Sequence, residues 1–422
     1  MPHAPRDTNG PLIIGGGLAG LALTLELARA GQAPTLLEAS PRLGGRGATD
    51  RTDTGHAFDR GAHALFCKGR LEAFLRRHRL HVPGPVATTA GSVVLLDDAV
   101  LPLPDGPLDF LRASWLDRWA FARWSTATAL GRHPTGGNAA AWLDGALPEG
   151  PTRALAHALT RVSTYGGALE QLDAATAAEQ VRVGFGGVRY LEGGWQRLVD
   201  AVAHAATEAG AQLHTSAPVR ALHVDDEGVL VDTDTSSSRT DRIVLALPPD
   251  RASALLPSLI RPAPDAVRVA ALQLVLAPEV VADGPCQRLA IDLDRPVFVS
   301  DFSNVASYGP DDAHVVHAVR YLDDHETGRG SAAMARADME ATLDRLWPRW
   351  RDGVRAHRFL PRIATTAVRP RPGIPRPPEQ PHPRVWCVGD GYGPHALLAD
   401  AAVASAERVA VQLMDVPRQA IA

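Results

Sequence analysis

Residues 11–40, PLIIGGGLAGLALTLELARAGQAPTLLEAS, constrain the fold of this chain more than any other stretch. An apolar run from Leu12 to Ile14 enters a glycine turn, the apolar spacing predicts a helix from about Leu18 to Ala30, and a second apolar run ends on an acid, Glu38. Gly15, Gly17 and Gly20 stand in the order G-x-G-x-x-G. In that order the first glycine makes the turn, the second lets backbone approach a pyrophosphate, and the third packs helix on strand. Leu18 and Ala19 open the helix, where free N–H groups and the positive end of the dipole favour an anion. Glu38 is placed to accept hydrogen bonds from adenosine ribose hydroxyls, and its charge would repel a 2′-phosphate.

Whether the dinucleotide is FAD or NAD depends on the residues that follow. Ala39 leads into SPRLGGRG, where Gly44 and Gly45 let the backbone curl close to a nucleotide and Arg46 can pair with phosphate oxygens through two parallel N–H bonds. Twelve residues after Arg46 comes FDRGAHALF, containing Asp59, Gly61, Ala62 and His63. Near the other end of the chain, VWCVGDGYGPHALLADAAVASAERVA reads as a strand from Val385 to Val388, a turn at Gly389 and Asp390, and an Ala-rich helix beginning near His395.

The fragment LLEASPRLGGRG resembles the FAD-binding signature of the flavin amine oxidase, protoporphyrinogen oxidase and phytoene desaturase superfamily, with phytoene desaturase-like oxidoreductases the nearest branch. The resemblance runs the length of the chain. It includes the Gly193-Gly194-Trp195 segment before an amphipathic helix, Val219 in the following hairpin, the Leu247-Pro248-Pro249 strand end and the Gly389-Asp390 turn. It implies an α/β fold in which a Rossmann-type FAD-binding domain of the GR2-like flavoprotein kind carries an inserted α+β substrate domain, with a mixed or antiparallel sheet and a helical block. The expected division is 1–85, 186–260 and 361–422 for the FAD domain, and 86–185 and 261–360 for the substrate domain.

The resemblance further implies non-covalent FAD. The expected contacts are Gly15, Gly17, Leu18, Ala19, Gly20, Glu38, Ala39, Gly44, Gly45, Arg46, Gly61, Ala62, His63, Val219, Gly389, Asp390, Leu397 and Leu398. His63, His395 and Tyr392 fall in segments expected near the flavin ring and are the candidate catalytic residues. A covalent link through Cys387 is set against the plainer reading of a buried strand thiol, and Lys68 reads as a surface residue.

Between these motifs, SVVLLDDAVLPLP predicts a hairpin turning at Asp97 and Asp98, and VRVAALQLVLAP, LAIDLDRPVFVSDFSN and AHVVHAVRYL predict antiparallel strands. Phe298, Phe302, Tyr308 and Tyr321 are candidate cavity residues. The stretch from Leu108 to about Gly131 predicts a helix with Leu111, Trp115, Trp119, Phe121 and Ala122 along an apolar side. That side reads first as core, with a hydrophobic substrate funnel and a patch resting on lipid as the other readings.

Composition narrows the classes of function. A chain of 422 residues exceeds one ordinary core, and 45% apolar with 21% charged residues is the balance of a globular protein. A net charge of -4 supplies no broad basic field, which sets nucleic acid aside. The single lysine stands against 42 arginines, a bias of codons more than of chemistry. Cys67, Cys286 and Cys387 have neither metal-ligand nor disulfide spacing, so a reduced, cytoplasmic setting is expected. The amino end lacks an export pattern and no run of eighteen apolar residues occurs, which leaves room for peripheral membrane contact and for a homodimer.

The expected activity is transfer of a hydride from a small, largely apolar organic substrate to flavin N5, forming C=C or C=N, with oxygen or a quinone as the final acceptor. A flavin amine oxidase, a redox-neutral FAD-dependent isomerase or cyclase and a nicotinamide dehydrogenase are the alternatives.

Overall fold

A computed structural model of the chain describes residues 10–61, 63–103, 114–263, 266–326, 328–394 and 396–415. Ala62 and His395, both expected at the flavin, and Leu111 lie outside the described residues.

The apolar runs of the two chain ends come together in one five-stranded parallel sheet. Its order is Val385–Cys387, Ile243–Leu245, Leu12–Ile14, Thr35–Leu37, Gln212–His214. All five strands are three residues long and four are buried throughout, as strands covered on both faces must be. Helices Leu18–Arg29, Gln196–Glu208 and Leu398–Asp415 cover one face and share a core that includes Leu21, Leu23, Leu25 and Leu27. Those four leucines are fully buried, each contributing about 1.5–3 kcal/mol of transfer free energy. The other face is covered by helix Pro249–Leu255 and a three-stranded antiparallel sheet, Val219–Asp225, Gly228–Thr233 and Ser237–Thr240.

Strand order reverses direction at Leu12–Ile14, because the chain passes first to Thr35–Leu37 on one side and later to Ile243–Leu245 on the other. In an open parallel sheet the carboxyl ends at such a switch leave a crevice for ligand.

A second, seven-stranded sheet has the order Val354–Thr366, Val267–Leu276, His314–Tyr321, Val297–Asp301, Leu289–Asp292, Val93–Leu96, Ala99–Pro102. One pairing, Leu289–Asp292 with Val93–Leu96, is parallel and the rest are antiparallel, so the sheet is mixed. The hairpin turning at Asp97 and Asp98 forms its edge. Period-two alternation along Val267–Leu276 sorts its residues: Ala270, Leu272, Leu274 and Leu276 pack with helix Gly328–Leu346, while Val269 and Ala271 face an aromatic cluster of Tyr165, Phe298 and Tyr321. Strand Val354–Thr366 continues past residue 360, so its last residues reach the crevice of the parallel sheet.

Helices Trp115–Ala129, Ala139–Ala146, Pro151–Thr164 and Ala174–Gly184 form the helical block. Its core corrects the expected apolar side. Phe121 and Trp124 are buried, but Trp115 is 74% and Trp119 61% exposed, with the Arg123 guanidinium 5.4 Å from the Trp119 ring. Ser114 and Asp117 cap this helix reciprocally, and its phase then turns Trp124 inward. Among the described residues no helix is long and apolar enough to cross a membrane.

Candidate functional site

The carboxyl ends of the parallel strands lead directly into one cavity of about 600 Å³, within the range of cofactor and substrate pockets. Gly15 follows the first strand, Glu38 the second, Ala246 and Leu247 the third, and Val388 with Gly389 the fourth, and all of them line it.

The glycine turn is built for close approach. Gly15 has φ +113°, and a Cβ there would stand 2.5 Å from the Ala246 carbonyl oxygen. A Cβ on Gly20 would lie 2.0 Å from the Gly15 carbonyl oxygen, so that glycine packs helix on turn and does not itself line the cavity. A Cβ on Gly17 would meet nothing within 4 Å, which leaves its backbone bare to the cavity. Helix Leu18–Arg29 begins there with no side-chain cap, so its first N–H groups and positive dipole end suit an anion brought from outside. Leu18 and Ala19 line the cavity, as do Gly44 and Gly45. The Gly44 N–H donates to the Gly16 carbonyl at 2.8 Å and holds the second glycine loop beside the first.

Glu38 has a double attachment. One carboxylate oxygen accepts from the Gly16 N–H at 2.6 Å and the other from the Ser40 N–H at 2.8 Å. Those bonds fix the acid at the strand end and leave each oxygen a further lone pair for a hydroxyl donor. Ala39 and Val219 do not line the cavity. Val219 opens the hairpin of the three-stranded sheet and packs against the cluster behind the parallel sheet.

Arg46 and Asp390, each expected as a separate contact to FAD, pair with each other across 344 residues. Arg46 Nη1 donates to one Asp390 oxygen at 2.9 Å and Nη2 to the other at 2.5 Å. Asp390 is nearly buried, whereas the Arg46 side chain is 43% exposed and lines the cavity. The Ala367 N–H adds 2.8 Å to an Asp390 oxygen, and Arg46 reaches the Thr365 carbonyl at 3.1 Å. The pair thus ties both ends of the chain to the end of the long strand of the second sheet.

Gly61 and His63 line the cavity. His63 Nε2 lies 2.9 Å from the Arg46 carbonyl oxygen, a group that only accepts, so Nε2 carries the hydrogen and Nδ1 is left as the acceptor. Its ring packs on Trp195, centroids 4.7 Å apart. Asp59, wholly buried two residues before Gly61, holds the segment: it accepts from the Thr49 hydroxyl and from the Trp195 N–H at 3.0 Å. Behind it, Arg358 donates to the carbonyls of Phe58 and Asp59 at 3.0 and 2.7 Å and to Gln273 at 2.7 Å. The Gln273 amide donates in turn to the Asp59 carbonyl at 2.8 Å and to the His317 ring at 3.2 Å. Burial, with the Arg358 charge beside it, pushes His317 down to about 3, so its imidazole is neutral.

Several expected residues stand elsewhere. Tyr392 does not line the cavity. It is buried behind the parallel sheet, where its hydroxyl donates to the Leu247 carbonyl at 3.1 Å, so a catalytic contact is not available to it. Leu397 is fully buried and also does not line the cavity, whereas Leu398 does. The last helix begins at Leu398, later than expected, because Ala396 and Leu398 take φ of +61° and +57° and hold the preceding loop out of helical form. Cys387 is buried, its thiol pushed up to about 12 by desolvation, and it does not line the cavity, an environment that offers no thiolate for a covalent link. Phe302 and Tyr308 pack around Phe58, away from the aromatic cluster that holds Phe298 and Tyr321.

Two lining residues have little sequence signal. Tyr165 ends helix Pro151–Thr164 in the left-handed region, φ +58°, and the only hint is the Gly166-Gly167 pair after it. Asp400, in the first turn of the last helix, is buried, and desolvation pushes it up to about 6. It caps the neighbouring helix Arg70–Arg77 by accepting from the Leu71 N–H at 2.9 Å.

The donors, the bare glycine backbone and the cavity volume fit a dinucleotide laid from Glu38 toward Gly389. Comparison with known proteins agrees with that fit. The model of the family described as flavin containing amine oxidoreductase matches residues 18–414. Among solved structures, an oxidoreductase from Methanosarcina mazei superposes with a TM-score of 0.77 at 17% identity, covering 95% of this chain and 99% of that one. Putrescine oxidase bound to putrescine gives 0.70 at 18% identity, covering 98% and 100%. Cyclohexylamine oxidase from Brevibacterium oxydans IH-35A gives 0.70 at 18%, covering 96% and 99%. Likenesses at that level of identity establish the fold.

Proposed function

From the premise that this chain belongs to the flavin-containing amine oxidoreductase family and is an FAD-dependent oxidoreductase, we propose that it removes a hydride from a carbon of a small, largely apolar substrate and leaves a C=C or C=N bond. When bound, FAD supplies a two-electron acceptor that oxygen or a quinone restores. The single observation that carries the reading is the junction at Arg46 and Asp390, where the glycine loop after the second strand, the turn before the last helix and the end of the second sheet's long strand enclose one cavity.

The chain's own residues have separable tasks. The helix start at Leu18 and the bare backbone at Gly17 receive the pyrophosphate, and Glu38 orients the adenosine ribose. Arg46 adds positive charge to the cavity lining beside Asp390. Trp195, Tyr165 and Phe66 give the cavity apolar walls that exclude water. The proton that must leave the substrate's neighbouring carbon or nitrogen goes to His63 Nδ1, the unencumbered nitrogen of a histidine on the lining.

An amine substrate is the second reading, favoured by the family that the chain joins. The test of both is anaerobic. Purified holoprotein mixed with apolar primary amines, or with dihydroaromatic and polyene compounds, should lose its flavin colour, regain it with oxygen or a quinone, and yield a product lighter by two hydrogens. Product of unchanged mass formed with the colour intact would contradict hydride removal and support the redox-neutral alternative.

A further inference from the structure

We infer that the Tyr165 hydroxyl is the hydrogen-bond donor that fixes the substrate, and that the substrate carries a carbonyl oxygen on an otherwise apolar body. The inference rests on the oxidoreductase reading above and deepens it by naming a substrate class.

Tyr165 ends helix Pro151–Thr164, and its N–H donates to the Arg161 carbonyl at 2.7 Å. It takes φ +58° although two glycines, Gly166 and Gly167, follow at once. Left-handed backbone is strained for a bulky residue and persists where the surrounding packing over-determines it, a condition that clusters at ligand sites. Six non-glycine residues among those described have positive φ, and the two of them that line the cavity are Tyr165 and Leu398. Both belong to one cluster, in which the Tyr165 ring meets Phe298 edge-on at 6.0 Å between centroids and against which Ile363 packs. Ile363 lines the cavity too, so Tyr165 stands in an apolar wall.

The five tyrosines of the chain differ in what their hydroxyls meet. Tyr392 donates to the Leu247 carbonyl at 3.1 Å, Tyr308 donates to Asp59 at 3.4 Å, and Tyr190 accepts from Ser300 at 3.2 Å. The Tyr321 hydroxyl is sealed in the core without a partner. Tyr165 is the tyrosine that lines the cavity. It is 8% exposed, and its hydroxyl has no hydrogen-bond partner among the described residues yet is not sealed. For so buried a side chain, the opening that the hydroxyl meets is the cavity itself. Burial pushes the phenol above its ordinary value, so it keeps its hydrogen and can donate it. The acids and arginines of the lining are engaged elsewhere: Asp390 with Arg46, Arg60 with Asp50 at 3.1 Å, Asp400 with the Leu71 N–H, and Glu38 with the Gly16 and Ser40 N–H groups. Arg251 is exposed, in the first turn of the helix after Pro248. A neutral oxygen is the acceptor that suits the wall around Tyr165, because a carboxylate or an ammonium would be desolvated there without a counter-charge.

Calorimetric titration of the purified protein tests this with two pairs of equal shape, acetophenone against α-methylstyrene and cyclohexanone against methylenecyclohexane, in which C=CH2 replaces C=O. Wild-type protein should bind at least one ketone about threefold to tenfold tighter than its alkene. Tyr165→Phe should abolish that preference while leaving alkene binding within about twofold. Tyr321→Phe should keep it, because that hydroxyl is sealed from the cavity. Without ligand, Tyr165→Phe should match wild type in FAD content and in flavin absorption maximum. No ketone preference in wild type, or one that survives Tyr165→Phe, would overturn the inference. Flavin lost or spectrally shifted in the ligand-free variant would also overturn it, by making the hydroxyl a contact of the cofactor. Flavin absorbance of wild type reads the other claim separately: a colourless protein whose ketone preference depends on Tyr165 refutes the FAD reading and keeps the donor, and a yellow protein without the preference does the reverse.

Discussion

At the scale of single residues, the tightest constraint is the Arg46–Asp390 pair. Asp390 is nearly buried, so its carboxylate depends on the two guanidinium donors and the Ala367 N–H. Arg46→Met should destabilise the protein by ~1–3 kcal/mol, below the cost for a wholly buried pair because Arg46 is partly exposed, read as a lower urea midpoint at constant slope. A midpoint equal to wild type would mean that the pair is incidental. His317 makes a second prediction. Its folded value, about 3, lies below the ordinary 6.5, so the stability it contributes is complete above pH 6.5 and is lost as pH falls toward 3. Between pH 6.5 and 5 that loss amounts to ~2 kcal/mol. His317→Phe should therefore show a shallower fall in melting temperature over that window than wild type. An identical slope in the two proteins would place the acid lability elsewhere. Neither device was legible beforehand: Arg46 and Asp390 were each assigned to the cofactor, and a histidine in an alternating strand carries no sign of what faces it.

Elements were read best where a local rule decides them. The first strand, glycine turn, helix and second strand obey one spacing rule within thirty residues, and the structure sets them at Leu12–Ile14, Leu18–Arg29 and Thr35–Leu37. Elements whose burial depends on distant partners were read worst. In the helix at Trp115–Ala129, Trp115 and Trp119 were assigned to the inner side together with Phe121, whereas its phase in the block exposes the two tryptophans and buries Phe121 and Trp124. Tyr392 sits in a motif expected at the flavin, but the turn sends it behind the sheet to the Leu247 carbonyl. The glycine turn allows a test that separates structure from binding. A Cβ at Gly17 enters open space and a Cβ at Gly20 strikes the Gly15 carbonyl oxygen at 2.0 Å. Gly17→Ala should keep the wild-type melting temperature of the apoprotein and bind FAD more weakly. Gly20→Ala should lower that temperature by several degrees, a loss of about 1–3 kcal/mol from overpacking. Thermal melts of the two apoproteins in parallel decide it, and equal effects would refute the division of labour between these glycines.

Across the whole molecule, the repeated strand-turn-helix at the two ends of the chain serves one cavity. The first and last strands of the chain lie in the same parallel sheet, separated by Ile243–Leu245, and Leu18–Arg29 packs against Leu398–Asp415 over the same face. A ligand held by both ends favours the closed chain by mass action, about 2.7 kcal/mol at a concentration one hundred times its dissociation constant. The ratio of FAD to chain in purified wild-type, Gly17→Val and Asp390→Ala proteins tests this most directly. The account predicts one FAD per wild-type chain and a large loss of flavin in both variants, although the two substitutions lie at opposite ends of the sequence. A colourless wild-type protein, or full flavin occupancy retained in either variant, would contradict it.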